Sequence, residues 1–352
     1  MPLDQRKKQI LQAIVDDYVS TAEPVASNSL IQRHDFRVSS ATVRNEMADL
    51  EQMGYLEQPH TSSGRVPSDK GYREYVDSLM RVDQLSDEEG EQIKSRLSDS
   101  FDELAGLLKK ASSTLSEQTG FVSLALTPRL RKSYLKQLKM MMIEPGKVLV
   151  VVVLSAGIVK DRLVRIPDYL TPEQLSLISN SIESGLSGKP LEEITLVTVA
   201  SAAKESQVPE SLLNQILYEA YTAIKQADNL ELYMDGTNRM LSLPEFSNIS
   251  KARSLFDTLA TDGIVSGYVN ELSMDNERAT YMIRIGQEIS IEGLSDCSFV
   301  TTTYNVGDRI AGNIGVIGPK RMEYSKVISQ ISFVREVINN QMNRLKELNG
   351  GF

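Results

Sequence analysis

Apolar residues recur at helical spacing close to the N-terminus. Ile10, Leu11, Ile14, Val15, Tyr18 and Val19 form one stripe, with Arg6, Lys7, Asp16 and Asp17 elsewhere on the surface. This pattern predicts a helix that ends at Ser20–Pro24. Pro24 suits the first turn of a second, short helix running to about Arg33, because its missing N–H costs nothing there. Val25, Leu30 and Ile31 are its apolar side, and His34–Arg37 is a turn. A third helix starts near Ser39 or Ser40, either of which can cap it by accepting a bond from an orphan N–H. Val43, Met47 and Leu50 share its inner face, and Gly54 follows its end. Tyr55–Gln58 reads as a short strand, Pro59–Gly64 as turn, and Arg65–Pro67 as a brief return strand. A fourth helix carries Tyr72, Tyr75, Val76 and Leu79. Three helices followed by a small hairpin is the order of a winged helix-turn-helix domain, assigned to residues 1–85.

Residues 86–119 are charged and helical and read as a connecting helix. From Gly120 the pattern changes. Phe121–Leu126, Leu138–Ile143, Val148–Leu154 and Ile158–Ile166 are apolar runs separated by turn residues, which predicts a mostly antiparallel sheet with Val148–Leu154 as a buried strand. Residues 171–184 predict a helix, 191–243 are mainly helical, and 249–259 form another helix. Strands return at 281–289, 299–304 and 309–317, before a terminal helix over 323–348. The expectation is an α+β multidomain chain. A sheet domain over 120–190 and 280–352 is interrupted by a mainly helical insertion over 191–279.

Composition narrows the chemistry. The 352 residues contain one cysteine, Cys297, and two histidines, His34 and His60, so an internal disulfide and a cysteine-rich zinc site are excluded. The longest apolar run has seven residues, far short of the ~20 a membrane span needs. With no signal-peptide core at the start, the expected location is cytoplasmic. The net charge of −9 argues against general nucleic-acid affinity. Residues 1–80 are themselves acidic, with nine Lys/Arg against twelve Asp/Glu, so any DNA contact must come from where the cations sit.

The third helix offers such an arrangement. With Val43, Met47 and Leu50 inward, Ala41, Asn45, Ala48 and Gln52 face outward, flanked by Thr42 and Arg44. Small residues at 41 and 48 allow close approach to a major groove, Asn45 can pair bidentately with adenine, and Arg44 can reach guanine or a phosphate. Ser40 and Thr42 stand at the helix N-terminus, which favours phosphate. A solvated helix in a small bundle fits the same pattern. The turn tip adds Ser62, Ser63 and Arg65, suited to the DNA backbone or a narrow minor groove, although an ordinary surface turn fits it too. Lys70 and Arg73 are candidate phosphate contacts at the start of the fourth helix.

The run from Val38 to Glu51, continued by Gly54-Tyr55-Leu56, Pro59–Pro67 and Gly71–Val76, resembles the heat-inducible transcription repressor family, HrcA. Leu232–Thr237 and Gly312–Tyr324 resemble it as well. The resemblance implies three parts: a winged-helix DNA-binding domain, a GAF-like domain, and a dimerisation domain inserted into it. It implies a homodimeric repressor of chaperone operons that binds an inverted-repeat operator in double-stranded DNA, with activity supported by the GroE chaperonin. No cofactor and no membrane partner are expected. A winged-helix regulator gated by a small ligand in the GAF-like domain is the alternative. Catalysis is not expected: Cys297 has no base assigned beside it.

Overall fold

The computed structural model describes residues 3–60, 63–98, 104–130, 132–155, 158–204, 210–261, 263–275, 280–306 and 310–348. The chain is mixed α and β, in three packed units. No helix among the described residues is long and apolar enough to cross a membrane.

The N-terminal unit follows the predicted order: α1 (Gln5–Thr21), α2 (Ser27–Arg33), α3 (Ser40–Gln52), strands β1 (Leu56–Glu57) and β2 (Val66–Pro67), and α4 (Asp69–Glu74). The antiparallel hairpin pairs Leu56 with Pro67 and Glu57 with Val66. The α4 helix runs on through a wider turn, Tyr75–Leu79. Its core is fully buried: Ile10, Leu11, Ile14, Leu30, Val43, Leu50, Leu56 and Tyr72. One expectation is corrected. Asp17 is buried, because its carboxylate holds Arg33 at 3.2 Å and His34 at 3.0 Å and so ties α1 to the end of α2.

Gly71 shows how tightly α4 seats on the hairpin. A Cβ there would stand 2.2 Å from the Tyr55 carbonyl oxygen, an atom of the backbone. Alanine in a helix ordinarily gains about 1 kcal/mol over glycine. Here Gly71→Ala is expected to destabilise the unit by about 1–3 kcal/mol, since α4 must move off the hairpin. Urea unfolding checks the sign.

The segment predicted as a connecting helix is two helices, α5 (Asp87–Ser98) and α6 (Leu104–Thr119), and both are core elements. Beyond them lies β3 (Val122–Leu126). It is the second strand of a five-stranded antiparallel sheet ordered β7-β3-β10-β9-β8, where β7 is Leu232–Asp235, β8 Met282–Ile285, β9 Cys297–Val306 and β10 Ile310–Pro319. α6 and the terminal helix α12 (Tyr324–Leu348) cover one face, over Ala125, Val300, Ile314 and Val316. α10 (Ile249–Ala260) and α11 (Ile264–Asp275) cover the other, with Leu124, Leu126, Phe299 and Ile317.

The remaining strands do not join this sheet. β4 (Leu135–Glu144), β5 (Lys147–Leu154) and β6 (Val159–Arg165) form their own three-stranded antiparallel sheet, backed by α7 (Pro172–Leu186), α8 (Leu196–Ala203) and α9 (Glu210–Gln226). The predicted boundaries are therefore corrected. The chain leaves the large sheet at Leu126 and returns at Leu232, and these two residues pair directly. At this neck the Thr127 N–H donates to the Glu231 carbonyl at 2.9 Å, and the Glu231 N–H donates to Thr127 Oγ1 at 2.8 Å. The insertion is thus 128–230, a mixed α/β unit, and not a helical one over 191–279. Residues 232–275 belong with the large sheet instead.

The β5 strand is buried on one side only. Val148, Val150, Val152 and Leu154 point to the helices, while Leu149, Val151 and Val153 alternate to the other face. There Met141, Leu149 and Leu163 stand in register across all three strands. Met141, Ile143, Val159 and Leu163 are exposed.

Candidate nucleic-acid interface

The geometry of α3 is fixed at both ends by side chains. Ser39 caps it, its Oγ accepting from the Thr42 N–H at 3.2 Å. The Ser40 hydroxyl donates to Asn28 Oδ1 and lies 3.4 Å from Ser27 Oγ, both on α2. Ser40 therefore locks the angle between the two helices and does not present a free hydroxyl. At the other end Lys70 Nζ donates to the Met53 carbonyl at 2.7 Å and lies 4.2 Å from the Tyr55 ring centre. A cation there suits the negative end of the helix.

Between these anchors the helix divides as its spacing predicts, except that Ala48, expected to face outward, is half-buried. Val43, Met47 and Leu50 are buried; Ala41, Arg44, Asn45 and Gln52 are exposed; Thr42 and Ala48 lie half-buried at the margins. Two of the acidic residues of α3, Glu46 and Asp49, are held by α1. Lys7 Nζ binds Glu46 at 2.6 Å and Asp49 at 3.1 Å, and Arg6 lies 3.6 Å from Glu46. The Glu46 carboxylate, then that of Asp49, raises Lys7 above the usual lysine range. The N-terminal basic cluster is thus engaged in masking carboxylates that would repel a phosphate. Arg44 remains exposed on the outer face, and so does Arg37 in the turn before α3. Arg37 was not singled out from sequence, since nothing in its spacing marks it.

The hairpin lies against this helix. Its tip is closed by Ser63, whose Oγ accepts from the His60 N–H at 3.0 Å and donates to the His60 carbonyl at 2.7 Å. Ser62 lies outside the described residues. Arg65 makes a two-way backbone bridge to Val25, at 2.8 and 2.9 Å. Gly64 permits this approach, for a Cβ there would meet the Val25 backbone at 2.4 Å. The Arg65 side chain turns to α3, its Nε donating to Glu51 Oε2 at 2.8 Å.

Of the predicted site residues, Ala41, Thr42, Arg44, Asn45 and Ala48 share α3, with Ser63 and Arg65 on the adjoining hairpin. Ser40 and Lys70 are engaged within the unit, and Arg73 is engaged outside it. Its Nε donates to Glu288 Oε1 at 2.8 Å and its Nη2 to the Ile283 carbonyl at 2.8 Å, both in the large-sheet unit. It serves an interdomain contact and is not offered to a ligand. Cys297 is fully buried, and burial pushes its thiol up to about 12, so it stays protonated at neutral pH.

Residues 105–328 match the family model for the HrcA protein C-terminal domain. The chain is 43% identical to the heat-inducible transcription repressor HrcA of Ruminiclostridium cellulolyticum over 98% of its own length and 99% of that protein's. It is 42% identical to the protein of the same name from Acetivibrio thermocellus, over 99% of this chain and all of that one. A crystal structure of a hypothetical protein at 2.2 Å resolution superposes with a TM-score of 0.66 at 20% identity, covering 98% of this chain and 100% of that one, which supports the fold. A match to the family model over well over half the chain, together with near-complete relatives above 40% identity, places this chain in the HrcA family of heat-inducible transcription repressors.

Proposed function

We propose that this repressor binds an inverted-repeat operator in duplex DNA as a homodimer, that it controls chaperone operons from the cytoplasm, and that its activity is supported by the GroE chaperonin. The N-terminal unit is then a winged helix-turn-helix domain, the five-stranded unit a GAF-like domain, and the three-stranded insertion the dimerisation domain. The observation that carries the reading is the outer face of α3. Arg44 and Asn45 are exposed there while Met47 is buried behind them, and the Arg65 hairpin adjoins the same helix. An arginine and an asparagine on the outside of a helix with small residues beside them suit base edges in a major groove.

Dimerisation is supported by the second sheet face of the insertion. Met141, Ile143, Val159 and Leu163 are exposed there on strands. Apolar patches of this kind mark association surfaces, and a two-fold contact matches the symmetry of an inverted repeat.

The test is a titration of the full chain against an inverted repeat selected from random duplexes, and against its scrambled sequence, at fixed salt. The selected repeat is expected to bind tighter by roughly a thousandfold or more, and added chaperonin to raise the fraction of active protein. Equal affinity for both duplexes would overturn the reading.

A further inference from the structure

The N-terminal unit is not tethered loosely to the rest of the chain. It is bolted on through α4. Arg73 grips Glu288 with two guanidinium nitrogens and also reaches the Ile283 carbonyl. One turn earlier, the Asp69 carboxylate accepts from Lys320 Nζ at 2.7 Å and from the Gln287 N–H at 2.9 Å. The backbone opposite Asp69 is Gly286, at φ +55°, where a Cβ would fall 2.1 Å from Asp69 Oδ2. Only a residue without a side chain lets the two units come this close. Nearby, Arg321 donates to the Val19 carbonyl of α1 at 2.8 Å while holding Glu245. The rings of Tyr72 and Tyr324 meet at 6.2 Å, both fully buried.

The contact is mechanically continuous with the reading helix. Ser68, which caps α4, donates to the Gly54 carbonyl at 2.6 Å, Lys70 holds the Met53 carbonyl, and Gly71 abuts Tyr55. Any rotation of α4 therefore carries the end of α3 with it. On an inverted repeat, two such helices must meet grooves at a set separation and angle. One base pair more or less moves a half-site by about 3.4 Å and turns it by roughly a tenth of a helical turn. A flexible tether would tolerate this change, whereas a rigid mount would not.

We infer that Asp69, Arg73, Glu288 and Lys320 are positioning residues that fix the orientation of α3 and so select the spacing between the two half-sites. This rests on the dimeric DNA-binding reading above. The four touch no base; they act through α4, and Gly286 makes room for them.

The experiment uses the full chain and a half-site selected from random duplexes by the unmodified protein. That half-site is presented singly, and as inverted repeats whose central spacer changes one base pair at a time over a full helical turn. The unmodified protein is expected to prefer one spacing sharply. Glu288→Gln, Lys320→Gln and Gly286→Ala should each keep single half-site affinity within about twofold. Each should weaken binding at the preferred spacing by about tenfold while sparing the others, so that the spacing profile flattens. Circular dichroism verifies folding, and three independent variants guard against the loss of any one. A variant profile as sharp as the original would overturn the inference. So would tighter binding at every spacing, which would make the contact an inhibitory clamp. If the unmodified protein failed to distinguish paired from single half-sites, the dimeric reading would fall and this inference with it. Unchanged variants of a protein that does distinguish them would sink this inference alone.

Discussion

Leu50→Ala is expected to lower the unfolding transition of the N-terminal unit by on the order of 10–20 °C and to abolish most DNA binding at growth temperature. Leu50 is completely buried on the inner face of α3, within a core that includes Ile10, Leu11, Ile14, Leu30 and Val43. Removing three carbons there loses their transfer energy and leaves a cavity, at a cost of about 2–5 kcal/mol. A small domain has ~5–15 kcal/mol of stability in all, so the loss is a large share of it. The same helix carries the candidate reading face, so unfolding and loss of binding should track each other. Scanning calorimetry with a parallel DNA titration is the measurement. The large sheet has a second core on its far side, around Phe299, Leu255 and Val269, and its transition should move little. A mutant that melts as the original does would show that α3 is not held by this core.

The sequence pattern resolved the N-terminal unit almost element by element, because each of its helices is amphipathic and separated from the next by turn residues. The i, i+4, i+7 stripe of Val43, Met47 and Leu50 sufficed to orient α3, and the outward side of Asn45 followed from it. Periodicity describes a strand's faces but not its partners. β3 and β5 are both apolar runs, yet one lies inside the large sheet and the other in the insertion. What separates them is the pairing of Leu126 with Leu232, which joins residues far apart in the chain. The pattern therefore suggests an interruption of the sheet but reads it as helical over 191–279, which differs from the strand pairing in both limits and character. Charged side chains were the other blind spot. Asp17, Lys7 and Arg73 look alike as surface residues in sequence, and each is committed to a particular partner across the fold.

That commitment shapes the last expected result, on how the interface divides its labour. Arg44 and Asn45 project from the outer face of α3, so Arg44→Ala and Asn45→Ala should each weaken binding to the preferred sequence by about 1–3 kcal/mol, with Asn45→Ala leaving random DNA nearly unaffected. Arg65 differs, because its Nε is held by Glu51 and its backbone is pinned to Val25. Its guanidinium can meet a phosphate but is poorly placed to read a base. Arg65→Ala should lower affinity evenly on all sequences and reduce the salt slope by about one. The converse variant is more telling. Glu51→Gln removes a negative charge beside the hairpin and loosens its hold on Arg65, so it should raise affinity evenly and steepen the salt dependence. Titrations of the four variants on preferred and random duplexes, at several salt concentrations, separate these outcomes. Equal losses on both duplexes for Arg44→Ala and Asn45→Ala would remove base reading from α3. Weaker binding by Glu51→Gln would mean that the ion pair aims Arg65 at the DNA and does not restrain it.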